Sequence, residues 1–129
     1  MTRTLNWAAS LCLAALCTAP AVAAPISPVG SWEMTGGEAR YRITACGEAG
    51  ALCAKLIWLR ADQRTDENLA VLNKYVVRGA EQVEGNRWSG SVVFDGRAYE
   101  GTMTLKSANY MTLRGCSGIL CQTYQLTRI

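Results

Sequence analysis

The sequence predicts an all-β protein: an eight-stranded antiparallel up-and-down β-barrel with a long loop or short helix between the third and fourth strands. Apolar and polar residues alternate with a period of two, most cleanly from Arg97 to Lys106. Turn residues separate the apolar segments at a spacing of about 8 to 12 residues. Eight antiparallel strands with little helix indicate closure, because a closed barrel leaves no exposed sheet edge.

Three strands are predicted before residue 60. They cover residues 29–35, 38–46 and 52–59, and the dipeptide Gly36-Gly37 between the first two is a hairpin signal. The third strand is expected to place four apolar side chains on one face: Leu52, Ala54, Leu56 and Trp58.

The segment 61–78 is polar, and we predict a long loop there. Thr65 is a suitable N-cap for a short helix, because Asp66 follows it and Leu69 and Leu72 come at helical spacing. Loops of this length are commonly functional. We therefore expect this segment to form a lid over one end of the barrel.

Five further strands complete the predicted barrel. A weak strand at 80–83 precedes strands at 87–94, 97–106, 110–116 and 121–128. The dipeptide Asp95-Gly96 is a strong hairpin turn between the second and third of these.

Residues 1–23 are predicted to be a cleavable signal peptide. Arg3 supplies the positive start, an uncharged apolar stretch follows, and Ala21-Val22-Ala23 is a small-residue cleavage site. The apolar stretch is shorter than the roughly 20 residues that a spanning helix needs. We expect a mature domain at residues 24–129, exported to an oxidising compartment and without a membrane span.

Four cysteines remain after removal of the signal peptide: Cys46, Cys53, Cys116 and Cys121. An even number in a small exported domain indicates disulfides, and the absence of histidine argues against zinc. Three pairings are possible. Strand parity and the opposite ends of the two connections favour Cys46 with Cys53 and Cys116 with Cys121, because a disulfide spans only about 4.4–6.8 Å between Cα atoms.

The two ends of the mature chain resemble a lipocalin-like barrel. Gly30-Ser31-Trp32 opens the first strand and Arg128 ends the last one. In lipocalin-like barrels the corresponding arginine covers the tryptophan at the closed end, as a cation stacked on an indole. The resemblance therefore implies a closed end built from Gly30, Trp32 and Arg128.

A longer series of motifs is similar to the bacterial exported family called domain of unknown function 2147. The series comprises Gly30-Ser31-Trp32, Arg42-Ile43, Cys46-Gly47, the segment 52–59, Trp88-Ser89-Gly90, the segment 95–99, the segment 113–116, Leu120-Cys121 and Thr127-Arg128. The resemblance covers essentially the whole mature chain. It implies a lipocalin-like barrel in the periplasm of a Gram-negative cell, with no established enzymatic activity and no agreed catalytic residues.

Composition excludes several functions. Without histidine, a Ser-His-Asp triad, a Cys-His pair and histidine-ligated metal sites are not available. The carboxylate pairs Asp66/Glu67 and Glu81/Glu84 are best explained as solvated surface. Basic residues are spread along the chain, which argues against nucleic acid as a partner. We expect no catalytic residues, no cofactor and no enzymatic activity.

The inward face of the barrel is the candidate ligand site. A barrel of eight strands is filled by side chains or holds one small ligand. We predict that a small apolar or amphipathic molecule binds among seven side chains of its upper half: Met34, Tyr41, Trp58, Phe94, Tyr99, Met103 and Tyr124.

The alternative is a protein-interaction or inhibitor module with a filled barrel that acts through its loops. On this hypothesis the basic residues Arg60, Arg64, Lys74 and Arg78 contact an acidic envelope protein. The sequence identifies neither the ligand nor the partner.

Overall fold

A computed structural model describes residues 14–20, 26–94 and 96–129, with the backbone alone at residue 94. In this part of the chain, eight antiparallel strands form one closed barrel in sequence order. The strands are β1 (Gly30–Met34), β2 (Ala39–Ala45), β3 (Leu52–Leu59), β4 (Tyr75–Glu84), β5 (Arg87–Phe94), β6 (Arg97–Ser107), β7 (Tyr110–Ser117) and β8 (Leu120–Arg128). A 3-10 helix (Ala61–Gln63) and the helix α1 (Asp66–Val71) lie between β3 and β4. The predicted fold class is confirmed.

The predicted signal peptide lies largely outside the described residues, so the boundary after residue 23 stays a prediction. Residues 14–20 carry no helix or strand. Within the described ranges, no helix has both the length and the apolar character needed to cross a membrane.

The antiparallel meander gives the barrel two different ends. At one end lie the start of β1, the end of β8 and the β2–β3, β4–β5 and β6–β7 connections. At the other end lie the β1–β2, β5–β6 and β7–β8 turns and the long 60–74 connection. We call them the closed end and the open end.

Trp32 plugs the closed end. Its side chain is 0% exposed, and its Nε1 donates to the Pro28 carbonyl at 2.8 Å. The Arg128 guanidinium stacks 4.4 Å from the Trp32 ring centroid, a cation–π contact. The arrangement implied by the resemblance is therefore present.

The Arg128 side chain also forms hydrogen bonds to backbone carbonyls around the closed end. Its guanidinium donates to the carbonyls of Ser27, Val29 and Ala108 at 2.5, 2.8 and 2.8 Å. These acceptors precede β1 or lie in the β6–β7 turn, so a single side chain joins three segments. Charge-assisted hydrogen bonds of this kind are stronger than neutral ones.

Gly30 is expected to tolerate no side chain beneath Arg128. Its φ is +146°, and a Cβ there would lie 2.5 Å from Arg128 Nη1. Hydrogen bonds to three carbonyls hold the Arg128 guanidinium in place. We expect Gly30→Ala to lower the free energy of unfolding by about 1–3 kcal/mol. Gly85→Ala is the matched control, because no atom lies within 4 Å of its built Cβ. Urea unfolding checks the difference, and equal losses would contradict this account.

The half of the barrel next to Trp32 is closely packed. Trp32, Ile43, Leu105 and Met111 are the largest fully buried side chains of the described residues. The void above them is about 30 Å³ and holds at most about two water molecules. The lower interior is therefore filled by side chains.

The prediction that Trp58 lies on the inward face is wrong. Arg40 pairs with Trp58 whereas the next residue of β2 pairs with Leu56, so Ile57 is an extra residue in β3. This β-bulge reverses the alternation of inward and outward side chains. As a result Leu59 is buried, whereas Trp58 is 37% exposed on the outer surface, 4.4 Å below the Arg40 guanidinium.

The fourth strand is longer than predicted. It begins at Tyr75 instead of residue 80, so the long connection ends before the predicted 78. Val76 and Val77 are both buried, and the register with β3 and β5 is irregular on either side of them. Two consecutive inward residues break the period of two that identifies a strand in the sequence.

The expected cysteine pairing and the short helix are both confirmed. Disulfides join Cys46 to Cys53 and Cys116 to Cys121. The first lies at the closed end and the second at the open end. Thr65 is the N-cap of α1, and its side chain accepts a hydrogen bond from the Asn68 amide at 3.2 Å.

Candidate ligand-binding site

The open end is covered on one side by the connection between β3 and β4. The 3-10 helix and α1 lie there, and hydrogen bonds attach the segment to the barrel at both of its ends. The Arg60 amide donates to the Glu38 carbonyl at 2.9 Å, and the Asn73 amide donates to the Leu56 carbonyl at 2.7 Å. The connection is therefore an ordered lid.

A cavity of about 340 Å³ lies beneath this lid, and we call it the lid cavity. Its lining comes from six strands, the β1–β2 turn and both lid helices. Most of the wall is apolar: Met34, Ala39, Tyr41, Leu56, Leu59, Val71, Val76, Val93 and Tyr124. Its other side chains are Glu38, Gln63 and Asn68. Known small-molecule sites are about 300–1,000 Å³ and mostly apolar with a few polar groups.

A second cavity of about 250 Å³ is lined by the four consecutive strands β5 to β8, and we call it the side cavity. It combines apolar side chains with a cation and several hydroxyl and amide groups. Its lining consists of Val92, Arg97, Tyr99, Leu113, Gly115, Ser117, Leu120, Gln122 and Tyr124.

The two cavities share one wall and stand above the same apolar floor. Tyr124 borders both cavities. The small void beneath them shares Val76 with the lid cavity and Leu113 with the side cavity. The barrel is thus packed in its lower half and hollow in its upper half.

The charged side chains near the lid cavity differ in their hydrogen bonds. Arg60 forms a bidentate pair with Asp62, Nε to Oδ1 at 2.6 Å and Nη2 to Oδ2 at 2.9 Å, and its Nη1 donates to the Gly36 carbonyl at 2.8 Å. The hydrogen bond to Asp62 is the main reason that the pKa of Arg60 is raised, and the same bond lowers the pKa of Asp62. Glu38 has no such partner, and its Oε2 is buried without a hydrogen bond.

Four of the seven predicted ligand-binding residues line this upper space. Met34, Tyr41 and Tyr124 border the lid cavity, and Tyr99 borders the side cavity. Met103 lies lower, on the floor void. Trp58 is on the outer surface, for the reason given above, and the side chain of Phe94 lies outside the described residues.

Sequence reasoning missed the polar residues of the cavities. Gln63 and Asn68 stand in the lid helices, where strand parity assigns no direction, whereas Glu38 was predicted to begin the strand 38–46 and lies in the β1–β2 turn. Arg97 and Gln122 were also overlooked. The one available signal was the length of the 61–78 segment, which indicated a lid without identifying the residues beneath it.

The residues proposed for the other functions lie on the exterior. Arg64, Lys74 and Arg78 are exposed, whereas Arg60 is engaged by Asp62 and Gly36. The acidic pairs are exposed too, two members in the first turn of α1 and two on β4. No cluster of three cysteine or acidic side chains suited to a metal ion occurs in the described ranges.

These features define a class of protein: a closed eight-stranded antiparallel barrel, plugged by tryptophan at one end and hollow beneath a lid at the other. Residues 30–128, from β1 to β8, match the model of a family described as an uncharacterized protein conserved in bacteria, DUF2147. The chain belongs to this family. No curated protein and no solved structure matches the chain.

Proposed function

We propose that this protein is an exported, periplasmic protein that binds a small apolar or amphipathic molecule at the open end of its barrel. The observation that carries the proposal is the hollow upper half, with cavities of about 340 and 250 Å³ above an apolar floor. A core that only stabilised the fold would be filled to the density of an organic crystal.

Two observations support export. Both disulfides belong to the barrel, and disulfides persist in oxidising compartments such as the periplasm. The sequence before β1 has the composition of a secretory signal.

The hollow upper half also favours ligand binding over the alternative function. The interaction or inhibitor module was argued from a filled barrel, and its four basic residues do not line either cavity. A ligand in the lid cavity would contact β-strands and the lid at once, so its binding is expected to stabilise both. Binding to the folded state alone raises the free energy of unfolding with the logarithm of the ligand concentration, once that concentration exceeds the dissociation constant.

Filling the lid cavity with a side chain is expected to block binding. N-phenyl-1-naphthylamine, a neutral dye that fluoresces in apolar surroundings, is the probe. We expect saturable binding to the native protein. Val71 is half-buried and lines the cavity from α1, so Val71→Trp should weaken dye binding by about tenfold or more, a cost of about 1.4 kcal/mol.

Ala70→Trp is the matched control. Ala70 precedes Val71 in the same helix and is exposed, so an indole there adds the same bulk outside the cavity. Its dye affinity should stay within about twofold of the native value. Absence of saturable binding, or equal binding by the native and Val71→Trp proteins, would refute the proposal.

A further inference from the structure

Glu38 places a carboxylate on the wall of an otherwise uncharged cavity. Among the described residues that line the lid cavity, it is the one with a formal charge. Its Oε2 is buried and has no hydrogen-bond partner. A buried carboxylate oxygen without a partner costs free energy, so a position of this kind is expected to serve a function.

The neighbouring cation Arg60 does not form a side-chain hydrogen bond with Glu38. Arg60 attracts it electrostatically, but the hydrogen bonds of the Arg60 side chain go to Asp62 and to the Gly36 carbonyl. The one bond between the two residues is from the Arg60 backbone amide to the Glu38 carbonyl. Asp62 thus competes with Glu38 for the guanidinium, which leaves the Glu38 carboxylate, packed over Gly36, without a hydrogen bond to this cation.

The neighbouring amide groups add acceptors to the same rim. Asn68 donates its Nδ2 to the Gln63 backbone carbonyl at 2.8 Å, which leaves Oδ1 as the acceptor of that amide. Asn68 and Glu38 face one cavity whose remaining wall is mostly apolar. The rim is therefore rich in acceptors, and it suits a ligand group that donates hydrogen bonds.

We propose that the lid cavity selects amphipathic molecules with a cationic amine head. The ammonium group pairs with the Glu38 carboxylate, and the apolar part lies against Met34, Leu56 and Val76. This inference rests on the proposed function and narrows the ligand class. A carboxylate head is disfavoured at this position, because the like charge of Glu38 repels it.

Three probes with the same chain and different heads test this preference at pH 7: decylamine, decanol and decanoate. Each competes with N-phenyl-1-naphthylamine for the native protein. An alkylamine is protonated at this pH, as lysine is. We expect decylamine to displace the dye at a concentration about tenfold or more below that of decanol, since charge-assisted hydrogen bonds are stronger than neutral ones. Decanoate should be the weakest competitor.

Glu38→Gln should remove the preference for the amine, so that decylamine and decanol displace the dye equally well when each competition is scaled to the dye affinity of the variant. Glu38→Asp keeps the charge and should retain the preference in part. Glu48→Gln is the matched control, because Glu48 is exposed in the β2–β3 connection at the closed end. Circular dichroism verifies that each variant is folded. If Glu38→Gln does not fold, the amine preference of Glu38→Asp is compared with that of the native protein, and an undiminished preference would contradict the role of Glu38.

The outcomes separate the two proposals. Dye binding with equal displacement by decylamine and decanol overturns the amine selectivity and leaves the proposed function standing. An amine preference that persists in folded Glu38→Gln overturns the role of Glu38. Failure of the native protein to bind the dye or any of the three probes overturns the proposed function itself.

Discussion

Replacement of Trp32 by alanine is expected to lower the free energy of unfolding by about 3–5 kcal/mol, the range found for large aromatic truncations in protein cores. Trp32 is 0% exposed, so its removal leaves a cavity at the closed end that the surrounding strands cannot fill completely. The Pro28 carbonyl loses its donor and Arg128 loses the ring beneath it. Since stabilities of small domains are about 5–15 kcal/mol, the variant should be close to unfolding at physiological temperature.

Trp58→Ala is the matched control for this prediction. It removes the same side chain from the outer surface, where it is 37% exposed and contacts the Arg40 guanidinium. An exposed cation–π contact contributes about 0.5–1 kcal/mol, so the loss should be no more than about 1–2 kcal/mol with its packing included. Urea unfolding followed by far-ultraviolet circular dichroism gives both values. If Trp58→Ala proved as costly as Trp32→Ala, the bulge at Ile57 and the outward position of Trp58 would be incorrect.

The second large effect is expected from removal of the disulfides. The cysteines of the two bridges are separated by 7 and 5 positions, and closing such short loops in the unfolded chain corresponds to about 2–2.5 kcal/mol for each bridge. The double variants Cys46→Ala/Cys53→Ala and Cys116→Ala/Cys121→Ala should each lose about this amount. Because the bridges lie at opposite ends of the barrel, the two losses should add in the variant that lacks both.

Urea midpoints of the two double variants and the fourfold variant check this prediction. The native protein treated with a phosphine reductant in urea is the control, and it should reach the stability of the fourfold variant. A fourfold variant no less stable than either double variant would show that the loops do not act independently. Loss of one bridge without any change in stability would contradict the argument from chain entropy.

Much of the barrel was predictable because its regularities are local. Period-two alternation identifies β6, and Gly36-Gly37 marks the first turn, since both signals depend on neighbours in sequence. Parity along β2 and β3 also predicted that Cys46 and Cys53 point to the same side, and the disulfide confirms it. The N-cap at Thr65 is local too, because a cap bonds an amide only two or three residues ahead.

The errors arose where pairing with another strand decided the direction of a side chain. Ile57 and Trp58 are both large and apolar, so nothing in the order of residues shows which of them β2 leaves unpaired. Val76 and Val77 pose the same difficulty in β4, where both are buried. Bulges depend on how the partner strand and the barrel curvature accommodate an extra residue, and that information is not local.

By itself, the sequence determined the class of this protein: an antiparallel barrel stapled by two local disulfides and joined at its ends by Trp32 and Arg128. Only the tertiary structure decided that the barrel is hollow above Met103 and Leu113 and that Glu38 faces the space beneath the lid. The physical reason is that strand parity assigns a side chain to a face, whereas a cavity depends on the volumes of residues brought together from many strands. Glu38 was predicted to begin a strand but lies in the β1–β2 turn, so its place at the site follows from how this turn and the lid meet at the open end.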